Sequence, residues 1–128
     1  MVRKRPLVLV VEDDPALGDV IVTALRDDGL DSKLASDGDE AMRLVDSLEP
    51  SCMVLDLMMP RRDGFSVLRE LRSDGRLVKM PVVVVTAMFG LSERNYATEL
   101  GAADYVTKPF ELDDLVGRVR ALISPTPL

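Results

Sequence analysis

Short apolar runs rich in β-branched residues alternate with segments of helical periodicity along the whole chain. Leu7–Val11 is wholly apolar and stops abruptly at Glu12-Asp13-Asp14. Its length and its valines favour a strand buried on both faces. Asp14 followed by Pro15 reads as a helix cap and first helical position. Leu17, Val20, Ile21, Ala24 and Leu25 then recur at helix spacing up to a stop at Gly29. Leu30–Ala35 predicts a weaker strand, nearer an edge because Asp31, Ser32 and Lys33 interrupt it. After a turn at Asp37-Gly38, a stripe of Ala41, Leu44, Val45 and Leu48 predicts a second helix. Cys52–Leu55 is a third strand, halted at Asp56. Val67, Leu68 and Leu71 mark a third helix that ends at Asp74-Gly75. Val82–Val85, a run of valines, is a fourth strand that stops at Thr86. Ser92–Leu100 predicts a fourth helix closed by Gly101, Ala103–Val106 a fifth strand, and Glu111–Ile123 a fifth helix. Ser124-Pro125-Thr126-Pro127 breaks the pattern, so residues 1–123 read as the domain and 124–128 as a tail or linker.

Strict strand–helix alternation implies a parallel sheet with right-handed crossovers and helices on both faces, a doubly wound α/β domain. The chain has 128 residues, enough for one domain with a core that needs no staples. In such a sheet, ligands bind outside the carboxyl ends of the strands, where the strand order reverses. The first strand delivers Glu12 and Asp13 to that rim, the third Asp56 and the fourth Thr86, and Lys108-Pro109 follows the fifth.

Composition narrows the chemistry. The net charge of −6 argues against direct binding of nucleic acid or anionic membrane by this chain. The absence of histidine removes imidazole catalysis and histidine–metal sites, and Cys52, the only cysteine, leaves no internal disulfide. No apolar run approaches the ~20 residues of a membrane span, and no leader pattern opens the chain. A cytoplasmic domain working through carboxylates, a hydroxyl and a lysine remains. Crowded carboxylates raise one another's pKa, and Mg²⁺, which prefers oxygen ligands, relieves that repulsion. A carboxylate beside a metal, an ammonium and a hydroxyl is equipped to become an aspartyl phosphate.

The runs Val10-Val11-Glu12-Asp13-Asp14, Leu55-Asp56-Leu57-Met58-Met59-Pro60 with Asp63-Gly64, Val85-Thr86-Ala87 and Tyr105-Val106-Thr107-Lys108-Pro109-Phe110, with their spacing, resemble the receiver domain of bacterial two-component response regulators. That resemblance implies a flavodoxin-like sheet of order 2-1-3-4-5 with five helices. It implies that Asp56 accepts a phosphoryl group from a histidine kinase or phosphotransfer protein. Asp13, Asp56 and the main-chain carbonyl of Met58 would be the direct Mg²⁺ ligands, with Glu12 acting through water. Lys108 would pair with the phosphoryl group, and its bond to Pro109 would be cis. Thr86 would swing toward the phosphoryl oxygens while Tyr105 turns inward, signalling to the face of the fourth helix, fifth strand and fifth helix. By resemblance to the winged-helix DNA-binding subfamily, Arg94, Glu99, Asp104, Asp114, Arg118 and Arg120 would form a homodimer on that face. Arg94 would meet Asp114, Glu99 would meet Arg120, and Asp104 would meet Arg118 across a two-fold axis.

Plainer readings accompany each of these residues. Asp14 is accounted for by helix capping, and Thr86 by strand propensity. Tyr105 also reads as a core aromatic, Cys52 as a small buried hydrophobe, and Met53, Met59 and Met80 as packing residues. Asp114 and Arg118 are also an i,i+4 pair on one helix. Met58 and Met88 lie two residues beyond Asp56 and Thr86, where thioethers orient an attacking water poorly; a long-lived phosphoryl state is expected. An aspartate-nucleophile phosphatase would want Asp-x-Asp after the first strand, where this chain has Glu12-Asp13-Asp14. No glycine-rich phosphate loop supports a nucleotide or flavin binder. A stand-alone receiver acting on a partner protein, and a degenerate scaffold, are the alternatives to a switch that controls an effector.

Overall fold

A computed structural model describes residues 5–123. Five parallel strands, β1 (Leu7–Val11), β2 (Asp31–Ala35), β3 (Cys52–Leu55), β4 (Val82–Thr86) and β5 (Asp104–Thr107), lie in the order β2-β1-β3-β4-β5. Between and after them run α1 (Pro15–Asp27), α2 (Gly38–Leu48), α3 (Gly64–Ser73), α4 (Leu91–Glu99) and α5 (Leu112–Ile123), with a 3₁₀ turn at Arg76–Val78 before β4. The central strands β1, β3 and β4 are buried along their whole length, which is why they read as unbroken apolar runs. β2 lies at an edge, as its interrupted pattern predicts, with Lys33 exposed.

Side chains of each strand alternate between two cores. Leu9, Val11, Met53, Leu55, Val82 and Val84 point toward α2, α3 and α4, where Val45, Leu68, Leu71 and Ala97 meet them. Val8, Val10, Cys52, Val54, Val83 and Val85 face α1 and α5, against Ile21, Leu25, Leu115 and Val119. The period of two that defines a strand is thus what fills both layers.

The helix cap expected at Asp14 forms, and two further aspartates cap helices. The Asp14 carboxylate accepts the amides of Ala16 and Leu17 ahead of Pro15, Asp37 caps α2 and Asp63 caps α3. Some boundaries differ. The fourth helix begins at Leu91, one residue early, behind Gly90, which offers no side-chain cap. It ends at Glu99, because Gly101 takes a left-handed φ of 107° and the Ala102 amide turns back to the Ala97 carbonyl. The fifth strand is Asp104–Thr107 rather than Ala103–Val106, its register fixed by pairing of Val83 with Asp104 and Thr86 with Thr107. The second strand starts at Asp31, since the Leu30 amide turns back to Leu25 to end α1. The expected tail at 124–128 lies outside the described residues.

Candidate functional site

The strand order reverses between β1 and β3, and the acids sit just beyond those strands. The Glu12 amide still bonds to the Ala35 carbonyl at 3.0 Å, and the Asp56 amide to the Val11 carbonyl at 3.1 Å. Both side chains therefore start from fixed backbone and project over the carboxyl edge of the sheet. From the other side, the Lys108 amide bonds to the Thr86 carbonyl at 2.8 Å, and the Lys108–Pro109 peptide is cis, as expected. Gly64 completes the cradle. A Cβ there would come within 2.5 Å of the Asp56 carbonyl oxygen and 2.7 Å of Leu57 Cα, so α3 starts against the Asp56–Leu57 backbone only because this residue has no side chain.

The expected residues converge. Carboxylate oxygens of Glu12, Asp13 and Asp56 lie within 4.8 Å of one another. Lys108 Nζ donates to Glu12 Oε1 at 2.9 Å and to Asp56 Oδ2 at 3.0 Å. Asp56 Oδ1 accepts the Met58 amide at 3.0 Å, and Glu12 Oε2 the Asp14 amide at 3.2 Å. Glu12 and Asp56 are buried, whereas Asp13 is open to solvent. Burial pushes the Glu12 carboxyl above its usual range, with the Asp56 charge adding to the shift and Lys108 opposing it. Burial also weighs against the Lys108 ammonium, but the two carboxylates outweigh it and hold its pKa above the usual lysine value. Three carboxylates thus face one ammonium, leaving an excess of negative charge at the rim. That donor set, all oxygen and partly desolvated, fits a hard divalent cation.

Thr86 is fully buried, and its hydroxyl accepts the Met88 amide at 3.3 Å. Tyr105 lies inward, its hydroxyl donating to the Met88 carbonyl at 2.6 Å. The two expected switch residues therefore hold the same residue of the β4–α4 loop. Met58 is 54% exposed, and with Met88, Leu57, Met59, Asp63 and Phe65 it lines a small open pocket of about 410 Å³.

On the expected dimer face, the charges find partners inside the chain. Arg118 bonds to Asp104 at 2.8 Å and to Asp114 at 3.1 Å. The Asp104–Arg118 pair expected across a two-fold axis therefore forms within one subunit here, because β5 and α5 are adjacent. Arg120 reaches the end of α1, where its Nε donates to Asp28 at 2.6 Å. Glu99 contributes its main-chain carbonyl to Arg72, and Arg94 lies over the Tyr105 ring, 5.8 Å from its centroid. Two features escaped the sequence reading. Arg62 ties α2 to α3 through Asp39 and Glu70. Tyr96 anchors α4 through a tilted ring contact with Phe65 and a hydrogen bond that its hydroxyl accepts from Arg69. Neither has a local pattern, since each joins residues remote in sequence.

The profile of the response regulator receiver domain matches residues 8–120. The chain is 44% identical over 121 residues to the response regulator MprA of Mycobacterium ulcerans, covering 94% of this chain and 51% of that protein. It is 39% identical over 121 residues to the DNA-binding dual master transcriptional regulator RpaA of Synechocystis, covering 94% of this chain and 50% of that protein. The receiver domain of the Francisella response regulator 1452 superposes with a TM-score of 0.87 at 35% identity, over 93% of this chain and 97% of that one. The chain belongs to the response regulator receiver domain family. It spans about half the length of the curated relatives it matches. The family is one of signalling proteins rather than turnover enzymes; its receivers interact with histidine kinases or phosphotransfer proteins and use Mg²⁺ at an acidic pocket. Among the described residues, no helix is long and apolar enough to cross a membrane.

Proposed function

We propose that this chain is a phosphorylation-controlled switch whose acceptor is Asp56. The carrying observation is the bridge from Lys108 to both Glu12 and Asp56, with Asp13 beside them. An Asp56 carboxylate oxygen attacks the phosphorus of a phosphohistidine on the donor protein. The new P–O bond forms as the P–N bond breaks, and the departing imidazole nitrogen takes up a proton. Lys108, already hydrogen-bonded to Asp56, follows the phosphoryl oxygens as charge builds on them. Asp13, Asp56 and the Met58 carbonyl would hold Mg²⁺, with Glu12 acting through water, and the ion would supply positive charge to offset that of the phosphoryl group.

The output follows from Thr86 and Tyr105. When the Thr86 hydroxyl leaves the Met88 amide for a phosphoryl oxygen, the β4–α4 loop loses one of its two polar ties, and the Tyr105–Met88 bond sets its new position. The signal then reaches the α4–β5–α5 face, where both signs of charge are interleaved, as a symmetric self-contact requires. Phosphorylation-promoted homodimerisation there controls an effector, and the DNA-binding relative supports a transcriptional one. With no turnover of a separate substrate, catalysis extends only to self-phosphorylation from the donor and slow loss of the phosphoryl group. The reading places the chain in the cytoplasm.

Intact mass after incubation with Mg²⁺ and acetyl phosphate tests the acceptor. One added phosphoryl group is expected in the wild type and none in Asp56→Asn or without metal. Equal uptake by Asp56→Asn overturns the assignment.

A further inference from the structure

The α4 helix is lightly held. Of its residues only Ala97 is buried, Leu91 is largely exposed, and Gly90 supplies no side-chain cap. Two arginines of α3 reach it from one side, Arg69 through the Tyr96 hydroxyl at 3.1 Å and Arg72 through the Glu99 carbonyl at 3.0 Å. On the β5 side, the Arg94 guanidinium rests over the Tyr105 ring. The neighbouring arginines of this face are committed to carboxylates, Arg118 to Asp104 and Asp114, and Arg120 to Asp28. Among the described residues Arg94 forms no ion pair, so the ring is what orients it while its charge remains available to an incoming carboxylate.

We propose that Arg94 is a positioning residue that reads the side-chain position of Tyr105 and presents its guanidinium to a second copy of this chain only while the ring lies inward. The inference rests on the homodimer reading above. With the ring inward, its hydroxyl is tied to the Met88 carbonyl and its face supports Arg94. Rotation of the ring out of the core breaks that bond and withdraws the π-face together. The phosphorylation site and the dimer face are then joined through three consecutive contacts, Thr86 to Met88, Met88 to Tyr105, and Tyr105 to Arg94. Arg94 gains its orientation without a competing ion pair that dimerisation must first break, unlike Arg118.

Two measurements test this on the whole chain. In the unphosphorylated monomer, nuclear magnetic resonance should show the Arg94 side-chain protons shifted upfield by the Tyr105 ring. The shift should be kept in Tyr105→Phe and lost in Tyr105→Leu, which retains an apolar body in the core. In the phosphorylated form, sedimentation analysis of wild type, Arg94→Ala, Tyr105→Leu and the double variant gives a double-mutant cycle. A cation–π contact at a partly exposed site corresponds to a coupling of about two- to five-fold in the dimer dissociation constant. Arg94→Lys should recover part of the lost affinity with Tyr105 present and none in Tyr105→Leu. Strictly additive effects, or ring-independent Arg94 shifts, overturn the inference while leaving the dimer reading intact. A phosphorylated wild type that stays monomeric overturns both.

Discussion

Replacing Lys108 by methionine removes the ammonium that bridges Glu12 and Asp56 but keeps most of the side chain's length. Both carboxylates remain buried, at 3% and 4% exposure, and each loses a charge-assisted bond, of 2.9 and 3.0 Å. Breaking a buried ion pair by deleting one partner costs about 3–5 kcal/mol, because the other charge stays desolvated. The Lys108 side chain is 23% exposed, so water already screens part of the interaction, and a loss of about 3 kcal/mol at neutral pH is the expectation. That is a large share of the roughly 5–15 kcal/mol that stabilise a domain, and with an ordinary urea dependence it moves the midpoint by about 1.5 M. Without Lys108, the Glu12 carboxyl, already pushed up by burial, rises further above its unfolded value. A folded-state pKa raised above the unfolded one means that the folded protein binds the proton first. Stability is therefore regained as pH falls from neutral toward the unfolded pKa, and lost as pH rises through the folded one. Urea unfolding of Lys108→Met and wild type at two pH values, with and without Mg²⁺, reads all of this. The deficit should shrink at mildly acid pH, and Mg²⁺ should stabilise the variant more than the wild type. A deficit below about 1 kcal/mol that does not change with pH refutes the claim that Lys108 compensates buried charge.

Gly64→Ala places a Cβ against the Asp56 carbonyl and Leu57 Cα; displacement of the loop should cost about 1–3 kcal/mol in unfolding experiments and slow phosphoryl uptake, whereas unchanged uptake would show that the cradle tolerates the methyl. Met58→Glu and Met88→Asn should each speed Mg²⁺-dependent loss of the phosphoryl group, measured by intact mass against time, because they replace thioethers with groups that orient water; rates unchanged in both would show that Met58 and Met88 only fill space. Burial pushes the Cys52 thiol up to about 12, so a disulfide reagent should react only after unfolding. The same shift makes stability fall as pH rises above the ordinary thiol range, and Cys52→Ala should flatten that alkaline decline in a thermal melt.

Much of the site was legible because its residues end strands. An apolar run that stops at a carboxylate, a hydroxyl or a turn before Lys108 declares both the strand and the side chain at its tip. The doubly wound alternation then sends all of those tips to one edge. Asp14 and Pro15 announce α1 in the same local way. The fourth helix was less sharply bounded, since Gly90 and Leu100 carry no capping side chain and only Ala97 is buried. Its anchors, Phe65 with Tyr96 and Arg69 with Tyr96, lie on a different helix from the one they hold.

What the sequence determined by itself is the set of strands, which of them are central, and the converging groups Glu12, Asp13, Asp56, Thr86 and Lys108. Periodicity and strand ends are set by neighbours along the chain, so they survive in one dimension. Tertiary structure decided which charges meet. Arg118 could reach Asp114 by helix spacing, but its bond to Asp104 exists because β5 packs beside α5, and Arg120 meets Asp28 only because α1 shares that layer. Surface ion pairs differ little in energy, so an arginine takes whichever carboxylate the packed elements bring within reach. The inward place of Tyr105 beneath Arg94 is likewise a property of the packed layers, since the Met88 carbonyl that holds its hydroxyl belongs to another strand's loop.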